Sequence, residues 1–198
     1  MLKNVIFDCG GVLYAYNPDD ITRTFFPDEA VRQSVQPILY RNWQALDEGS
    51  VDYDAYARET VEMLPESQRD AAARFFRKWM YVLPPKPEIW SLAAELKARG
   101  KNVYLLSNAP TCFAACLDDF PILRIMDGLV VSAAIQKFKP NKDIYEYTLN
   151  RFHLNPSETM FIDDNSPNTE AAKQLGIHAF TYRGEIDALR ATVESLMQ

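Results

Sequence analysis

Residues capable of chemistry stand at the ends of several apolar runs in this chain. Asp8 follows one apolar run, and Ser107 ends a second. The adjacent Asp163 and Asp164 end a third run, and Lys139 precedes a helical pattern. A carboxylate held at the end of a buried strand can act as a nucleophile or a metal ligand, and a nearby lysine can stabilise a developing anion. These residue types, in this order, point to phosphoryl transfer.

Five short apolar segments predict the strands that would hold these residues. The predicted strands run from Asn4 to Asp8, Asn102 to Ser107, Gly128 to Ser132, Thr159 to Asp163 and His178 to Tyr182. Because helical patterns separate them, they are typical of a parallel sheet covered on both faces. Ligands of such sheets bind beyond the carboxyl ends of the strands. We therefore predict an α/β fold with a Rossmann-like three-layer core around a parallel sheet of about five strands.

The stretch from residue 18 to residue 83 shows helical patterns and no strand signal. Its helices could extend the outer layer of the sheet, but the stretch is far longer than the dozen or so residues that a crossover requires. We therefore predict a core domain of residues 1–17 and 84–198, and a helical cap domain of residues 18–83 inserted after the first strand. Pro37 is expected to kink or break the helix that contains it.

Composition restricts the class of protein. The chain has 198 residues, of which 47% are apolar and 24% charged, as in a soluble globular protein. A net charge of -6 offers no general attraction for nucleic acid or an acidic membrane surface. No apolar run approaches the roughly 20 residues that span a bilayer. We expect a cytoplasmic protein, monomeric or weakly homodimeric, that binds neither nucleic acid nor membranes.

Four short motifs resemble, in order, those of the haloacid dehalogenase (HAD) superfamily, in the form that carries a helical cap after its first motif. The matching segments are Phe7-Asp8-Cys9-Gly10-Gly11-Val12-Leu13, Leu105-Leu106-Ser107-Asn108, Lys137-Phe138-Lys139-Pro140 and Phe161-Ile162-Asp163-Asp164-Asn165. Each motif is weak alone, because it is only a few residues long. Together they span essentially the whole chain, which makes the ordered set specific.

The resemblance implies a nucleophile and a metal site. Asp8 would attack phosphorus and form an aspartyl-phosphate, which divides hydrolysis into two easier steps. Mg²⁺ would be held by oxygen ligands from Asp8, Asp163 and Asp164 and by the carbonyl group of Gly10. Asp164 could instead cap the helix that follows it.

The resemblance also implies the residues that would contact the substrate. Ser107 and the amide of Asn108 would donate hydrogen bonds to the phosphoryl oxygens, and Lys139 would stabilise the negative charge of the transition state. The cap is expected to close over the substrate and to select it. Trp43 and Glu48 are our candidates for substrate binding, although Trp43 also fits the core of the cap.

Position 10 departs from the pattern of the family, in which most phosphatases place an Asp two residues after the nucleophile. That Asp protonates the leaving oxygen, and such help is worth about 10²–10⁴-fold in rate. Here Gly10 stands in its place, and three explanations remain open. The substrate could have a good leaving group, as in the α-glucose-1-phosphate phosphatase-like branch, which this chain resembles most. Another side chain could substitute (Tyr14, Tyr16, Asp47 or Glu48), or the protein could bind its ligand without turnover.

These observations together predict a Mg²⁺-dependent phosphatase that hydrolyses a small phosphorylated metabolite, a sugar phosphate, through an intermediate on Asp8. The alternative is a non-catalytic HAD-like protein that binds such a metabolite. A third reading is a 2-haloacid dehalogenase, because that branch also lacks the second Asp. Its enzymes need no metal and give up the paired acids, however, whereas this chain keeps Asp163 and Asp164.

Overall fold

A parallel sheet of five strands forms the centre of the protein, for which a computed structural model describes all 198 residues. The strands are β1 (Asn4–Phe7), β2 (Asn102–Ser107), β3 (Gly128–Val131), β4 (Thr159–Asp163) and β5 (His178–Thr181). Their order across the sheet is β3-β2-β1-β4-β5, with every neighbouring pair parallel. The predicted parallel sheet is therefore confirmed, and each predicted strand ends within one residue of the observed one.

The segment between β1 and the next core helix contains helices and no strand. Its helices are α1 (Pro18–Phe25), α2 (Glu29–Leu39), α3 (Trp43–Glu48), α4 (Tyr53–Met63) and α5 (Glu66–Lys78), followed by a 3₁₀ helix at Trp79–Val82. Side chains of Asn17, Asp28 and Asp52 accept hydrogen bonds from backbone N–H groups in the first turns of α1, α2 and α4. Polar residues at these positions therefore fix where three of the helices begin.

Pro37 does not break α2, because the helix continues through it and ends two residues later at Leu39. Proline removes one backbone N–H from the helical ladder. At this place only Ile38 and Leu39 follow the proline, so the helix loses a single hydrogen bond near its end. The predicted break at Pro37 was therefore wrong.

Six further α-helices belong to the rest of the chain. They are α6 (Pro87–Ala98), α7 (Thr111–Ala114), α8 (Ser132–Ile135), α9 (Lys142–Arg151), α10 (Ser166–Gln174) and α11 (Ile186–Met197). None of the helices combines the length and the apolar character needed to cross a membrane.

Alternate residues of the strands pack into two separate apolar clusters, one on each face of the sheet. Val5 and Phe7 belong to the cluster that includes buried residues of α6 and α11, whereas Ile6 belongs to the cluster formed with α9 and α10. This alternation follows from the two-residue period of a strand. The core thus has the three layers that the sequence predicts, helices, sheet and helices.

Aromatic rings make up the centre of the inserted helices. Phe75 of α5 is fully buried and meets Phe25, Tyr40, Trp43 and Phe76 at ring-centroid distances between 5.2 and 6.1 Å. Most of these pairs are edge-to-face, which is a favourable geometry for aromatic side chains. Buried side chains of this segment also continue into the apolar cluster on the α6 face of the sheet.

We expect Phe75→Ala to lower the free energy of unfolding by about 3–5 kcal/mol, because it removes a buried ring and leaves a cavity. Urea denaturation followed by circular dichroism would measure the change. Met63→Ala is the matched control, since Met63 at the end of α4 is 57% exposed. Equal losses in the two variants would show that Phe75 does not hold the helices together.

Candidate active site

Three of the predicted site residues meet at the carboxyl edge of the sheet. Asp8 directly follows β1, Ser107 is the last residue of β2, and Asp163 is the last residue of β4. Because β2 and β4 are the two neighbours of β1, the strands deliver these side chains to one place. The structure therefore brings together residues that lie 155 positions apart in the sequence.

Lys139 joins the two carboxylates inside the protein. Its side chain is 1% exposed, and its Nζ lies 2.9 Å from Asp8 Oδ1 and 2.7 Å from Asp163 Oδ2. The same Nζ donates to the carbonyl oxygen of Leu106 at 3.0 Å. Burial alone would lower the pKa of Lys139, but the two carboxylates outweigh it and raise that pKa above its ordinary value. Lys139 is therefore a fixed cation in the site.

Asn108 holds the backbone of Lys139 through a pair of reciprocal hydrogen bonds. Its Nδ2 donates to the carbonyl oxygen of Lys139, and its Oδ1 accepts from the Lys139 N–H, both at 2.9 Å. The loop after β2 is thereby joined to the loop before α9. Asn108 thus positions Lys139, a contact that its sequence motif does not reveal.

Asn168 is a site residue that the sequence did not reveal. Its Nδ2 lies 3.0 Å from Asp163 Oδ1 and 3.1 Å from Asp163 Oδ2, while Tyr145 donates its hydroxyl to the Asn168 carbonyl. The backbone N–H of Asn165 donates to Asp163 Oδ1 at 2.8 Å. The available signal was an amide residue in the first turn of the helix that follows the Asp163–Asp164 pair.

Asp8 presents one carboxylate oxygen that is held and one that is free. Its Oδ1 accepts a hydrogen bond from the Cys9 N–H at 2.7 Å and pairs with Lys139, whereas its Oδ2 accepts no hydrogen bond. Burial raises the pKa of Asp8 to about 7, Lys139 opposes this rise, and the charge of Asp163 adds to it. The carboxylate is therefore oriented by one oxygen and available through the other.

Three carboxylates form a compact acidic cluster at this edge. Asp8, Asp163 and Asp164 each offer an oxygen, and these oxygens all lie within 4.8 Å of one another. Burial raises the pKa of Asp164, and the charge of Asp163 adds to the effect. Three carboxylates thus share one buried ammonium, and oxygen donors with excess negative charge are what a small divalent cation requires. The residues present therefore fit a magnesium ion.

Gly11 makes room for the third carboxylate. Its φ is +79°, in the left-handed region, and a Cβ added to it would lie 2.1 Å from Asp164 Oδ2. Asp164 therefore packs directly against the backbone that follows Asp8. It makes no capping hydrogen bond to α10, whose N-cap position is Asn165, so the alternative that Asp164 is a helix cap gains no support.

Lys86, shortly after the helical segment of residues 18–83, holds the loop that contains Gly11. Its Nζ donates to the Gly11 carbonyl at 2.5 Å, and its backbone N–H donates to the Leu13 carbonyl at 3.0 Å. The Nζ also lies 5.0 Å from the centre of the Tyr182 ring. This role could not be predicted from the sequence, because Lys86 stands in a proline-rich segment that indicates only a connection.

A cavity of about 210 Å³ opens onto the acidic cluster. Its lining residues are Asp8, Gly10, Tyr16, Trp43, Asp47, Trp79, Asn108, Pro110, Lys139, Asp164, Asn165 and Asn168. Ser107 lines a smaller neighbouring cavity of about 40 Å³ that shares Gly10 and Asn108 with the first. A larger cavity, of about 510 Å³, between α4 and α5 contains none of the predicted site residues, so size alone does not identify the site.

The structure separates the two residues predicted to bind substrate. Trp43 lines the 210 Å³ cavity, although its ring also packs 6.1 Å from Phe75, so it belongs to both the cavity wall and the aromatic centre. Glu48 is not part of the wall, and its Oε1 instead accepts a hydrogen bond from Gln44 at 2.7 Å. The neighbouring Asp47 occupies the wall in its place.

We expect Asn168→Ala to lower the free energy of unfolding by about 1–3 kcal/mol, because it removes a donor to a buried carboxylate. Urea denaturation is the measurement. Asn165→Ala is the matched control, since Asn165 contacts Asp163 only through its backbone N–H, and it should change stability by less than about 0.5 kcal/mol. Similar losses from the two substitutions would contradict the assigned role of Asn168.

Curated relatives align with nearly the whole chain. The sesquiterpene phosphatase astK of Aspergillus oryzae is 30% identical over 182 residues, covering 88% of this chain and 87% of its own. The D-ribitol-5-phosphate phosphatase of Bacteroides thetaiotaomicron is 28% identical over 200 residues, covering 91% of each chain.

A solved structure shares the fold of this chain, and one protein family matches most of its sequence. A HAD family enzyme from Bacteroides thetaiotaomicron, solved in complex with magnesium and inorganic phosphate, superposes with a TM-score of 0.72 at 22% identity. The superposition covers 92% of this chain and 95% of the other, and at this identity it shows a shared fold. The family sequence model of the haloacid dehalogenase-like hydrolases matches residues 2–176 of this chain. The chain therefore belongs to the haloacid dehalogenase-like hydrolases.

Proposed function

We propose that the protein is a Mg²⁺-dependent phosphatase that hydrolyses a small phosphorylated metabolite, a sugar phosphate, through an aspartyl-phosphate on Asp8. The observation that carries this proposal is the cluster of three carboxylates around one buried lysine, with a free oxygen of Asp8 beside a cavity. Support also comes from two relatives that cover 88% and 91% of the chain and are named phosphatases.

Asp8 acts as the nucleophile in this proposal. Its Oδ2 forms a bond to phosphorus, the phosphorus–oxygen ester bond breaks, and the leaving oxygen takes the electron pair. Water then attacks the phosphorus of the aspartyl-phosphate, which releases inorganic phosphate and restores the carboxylate. The hydrogen bond from the Cys9 N–H and the pairing with Lys139 keep Oδ1 in place while Oδ2 reacts.

The groups around the cavity stabilise the charge that develops on the phosphoryl oxygens. Lys139 provides a fixed positive charge, while the backbone N–H of Asn108 and the hydroxyl of Ser107, from the neighbouring small cavity, provide donors. Asp8, Asp163, Asp164 and the carbonyl of Gly10 would hold Mg²⁺. When bound, this ion neutralises the phosphate group and orients it for attack.

Residues 18–83 act as a cap in this proposal, and residues 1–17 and 84–198 act as the core. Both parts contribute to the cavity wall, with Trp43 and Trp79 from the cap and Lys139 from the core. Substrate would thus bind between them, and closure would exclude water from the reacting phosphate.

The shape of the cavity supports a small, polar substrate. Its volume of about 210 Å³ is below the roughly 300–1,000 Å³ typical of pockets for drug-sized ligands. Its wall includes the aromatic residues Tyr16, Trp43 and Trp79 and the amide residues Asn165 and Asn168. Such walls suit a sugar or a polyol, whose C–H faces pack on rings while its hydroxyl groups bind amides.

We expect the wild type to hydrolyse at least one phosphate ester of a panel in the presence of Mg²⁺, and we expect Asp8→Asn to abolish that hydrolysis. The panel comprises D-ribitol 5-phosphate, α-glucose 1-phosphate, other alkyl phosphates and p-nitrophenyl phosphate. Released phosphate or p-nitrophenol is the measurement. The loss is expected because an amide cannot form the covalent intermediate.

Other results would select another function. A folded wild type without turnover on any ester, but with measurable affinity for one of them, would favour the non-catalytic binding protein. Halide release from a 2-haloacid in the presence of a chelator would favour a dehalogenase. Phosphatase activity that persists in Asp8→Asn would refute the proposed nucleophile.

We expect Mg²⁺ to raise the melting temperature of the wild type and to leave that of Asp163→Asn nearly unchanged. A ligand at 100 times its dissociation constant stabilises a folded protein by about 2.7 kcal/mol, and loss of a ligating carboxylate removes this gain. Thermal denaturation with and without Mg²⁺ is the measurement.

Asp143→Asn is the control for this experiment, because Asp143 is an acid that pairs with Lys137 at 2.8 Å outside the cluster. Its melting temperature should rise with Mg²⁺ as the wild type's does. An undiminished rise in Asp163→Asn would place the metal elsewhere.

A further inference from the structure

We propose that Asp47, on helix α3, supplies the general acid and base that Gly10 lacks in this chain. The inference rests on the proposed phosphatase function and adds a catalytic residue to it. Asp47 lines the same cavity as Asp8, although the two residues come from different segments of the chain. Both residues therefore border the space that the substrate would occupy in the proposed reaction.

Two contacts fix α3 against the core. Ser132, at the start of α8, donates its hydroxyl to the Asp47 carbonyl, and Gln136 donates to the Gly49 carbonyl at 3.2 Å. Gly49 has a φ of +70°, and a Cβ there would lie 2.4 Å from the Ala133 carbonyl oxygen. The turn after α3 therefore sits directly on the core backbone, and the position of Asp47 is set by the fold rather than by a free loop.

The carboxyl group of Asp47 lacks an internal partner. Its Oδ1 is buried and makes no hydrogen bond within the protein. A buried polar atom without a hydrogen-bond partner is costly and uncommon in folded proteins, so it calls for an explanation. A protonated carboxyl provides one, because a neutral group costs less to bury without a partner than a carboxylate does.

The environment of Asp47 favours a carboxyl that exchanges its proton near neutral pH. Burial raises the pKa of Asp47 to about 7, Lys139 lowers it, and Glu48 raises it further. General acids and bases work best when their pKa lies near the working pH. The same group can therefore give a proton in one step and accept one in the next.

The other candidates for the missing general acid are less suited to proton transfer. Glu48 is bonded to Gln44, and Tyr14 does not line the cavity but lies between the rings of Trp90 and Phe120. Tyr16 lines the cavity, but burial raises its pKa well above the usual range for a phenol, so it is a poor acid. Asp47 is the acid that remains.

Asp47 gives up a proton in the first step of the reaction and regains one in the second. While Asp8 Oδ2 bonds to phosphorus and the ester bond breaks, Asp47 transfers its proton to the leaving oxygen, which departs as a neutral alcohol. Asp47, now a carboxylate, then takes a proton from the attacking water as that water bonds to phosphorus. The cycle ends with Asp47 protonated, Asp8 free and inorganic phosphate released.

The test compares Asp47→Asn with the wild type on two kinds of substrate, with Mg²⁺ present. For an alkyl phosphate of the panel, kcat/KM should fall by about 10²–10⁴-fold, because its alkoxide leaves poorly without a proton. For p-nitrophenyl phosphate, kcat/KM should change by less than about tenfold. The constant kcat/KM reports the reaction up to its first irreversible step. In that step p-nitrophenyl phosphate releases a phenolate, which leaves without a proton.

Two further variants make the result decisive. Asp143→Asn, at an acid outside the cavity, should retain both activities within about twofold, and Asp47→Glu should recover part of the alkyl phosphate activity by restoring a carboxyl. Equal losses of Asp47→Asn on both substrates, or no loss on the alkyl phosphate, would overturn the role of Asp47. A wild type inactive on both substrates would instead refute the phosphatase function and this inference together.

Discussion

A buried ammonium between two carboxylates is the interaction on which this site depends. Lys139 pairs with Asp8 and Asp163, which stand at the ends of β1 and β4 and lie far apart in the sequence. Without that cation, two buried anions would repel each other at the centre of the sheet edge, at a cost that burial increases. The one lysine leaves the cluster short of positive charge, and this deficit makes the edge receptive to a divalent cation, which in turn would attract a phosphate.

Amide side chains then set the geometry around the charges. Asn108 fixes the backbone of Lys139, and Asn168 holds both oxygens of Asp163. Amides suit this task because each offers donors and acceptors together and carries no charge of its own. The charged groups are thereby oriented by neutral partners, and the balance of charge in the site is left to the three acids and the lysine.

The sequence predicted the elements of the fold well, because its strands are short, mainly apolar segments and many of its helices are bounded by cap residues, prolines and glycines. It also predicted which residues meet, since a parallel sheet brings the carboxyl ends of β1, β2 and β4 to one edge. It could not predict Asn168 or Lys86, whose roles depend on contacts across loops. Nor could it choose between Asp47 and Glu48, because adjacent residues of α3 point in different directions, and only packing against α8 decides which one faces the cavity.

The contact between α3 and α8 has a consequence for how the protein handles its ligand. The two hydrogen bonds that join the turn at Gly49 to α8 also hold Asp47 in the cavity wall, so a movement that separates this turn from α8 would withdraw the proposed proton donor. The protein would then admit a ligand in one position of this turn and convert it in another. A ligand too bulky to let the turn reseat would be held without being processed, and selection by size would be built into the hydrogen bonding of a single turn.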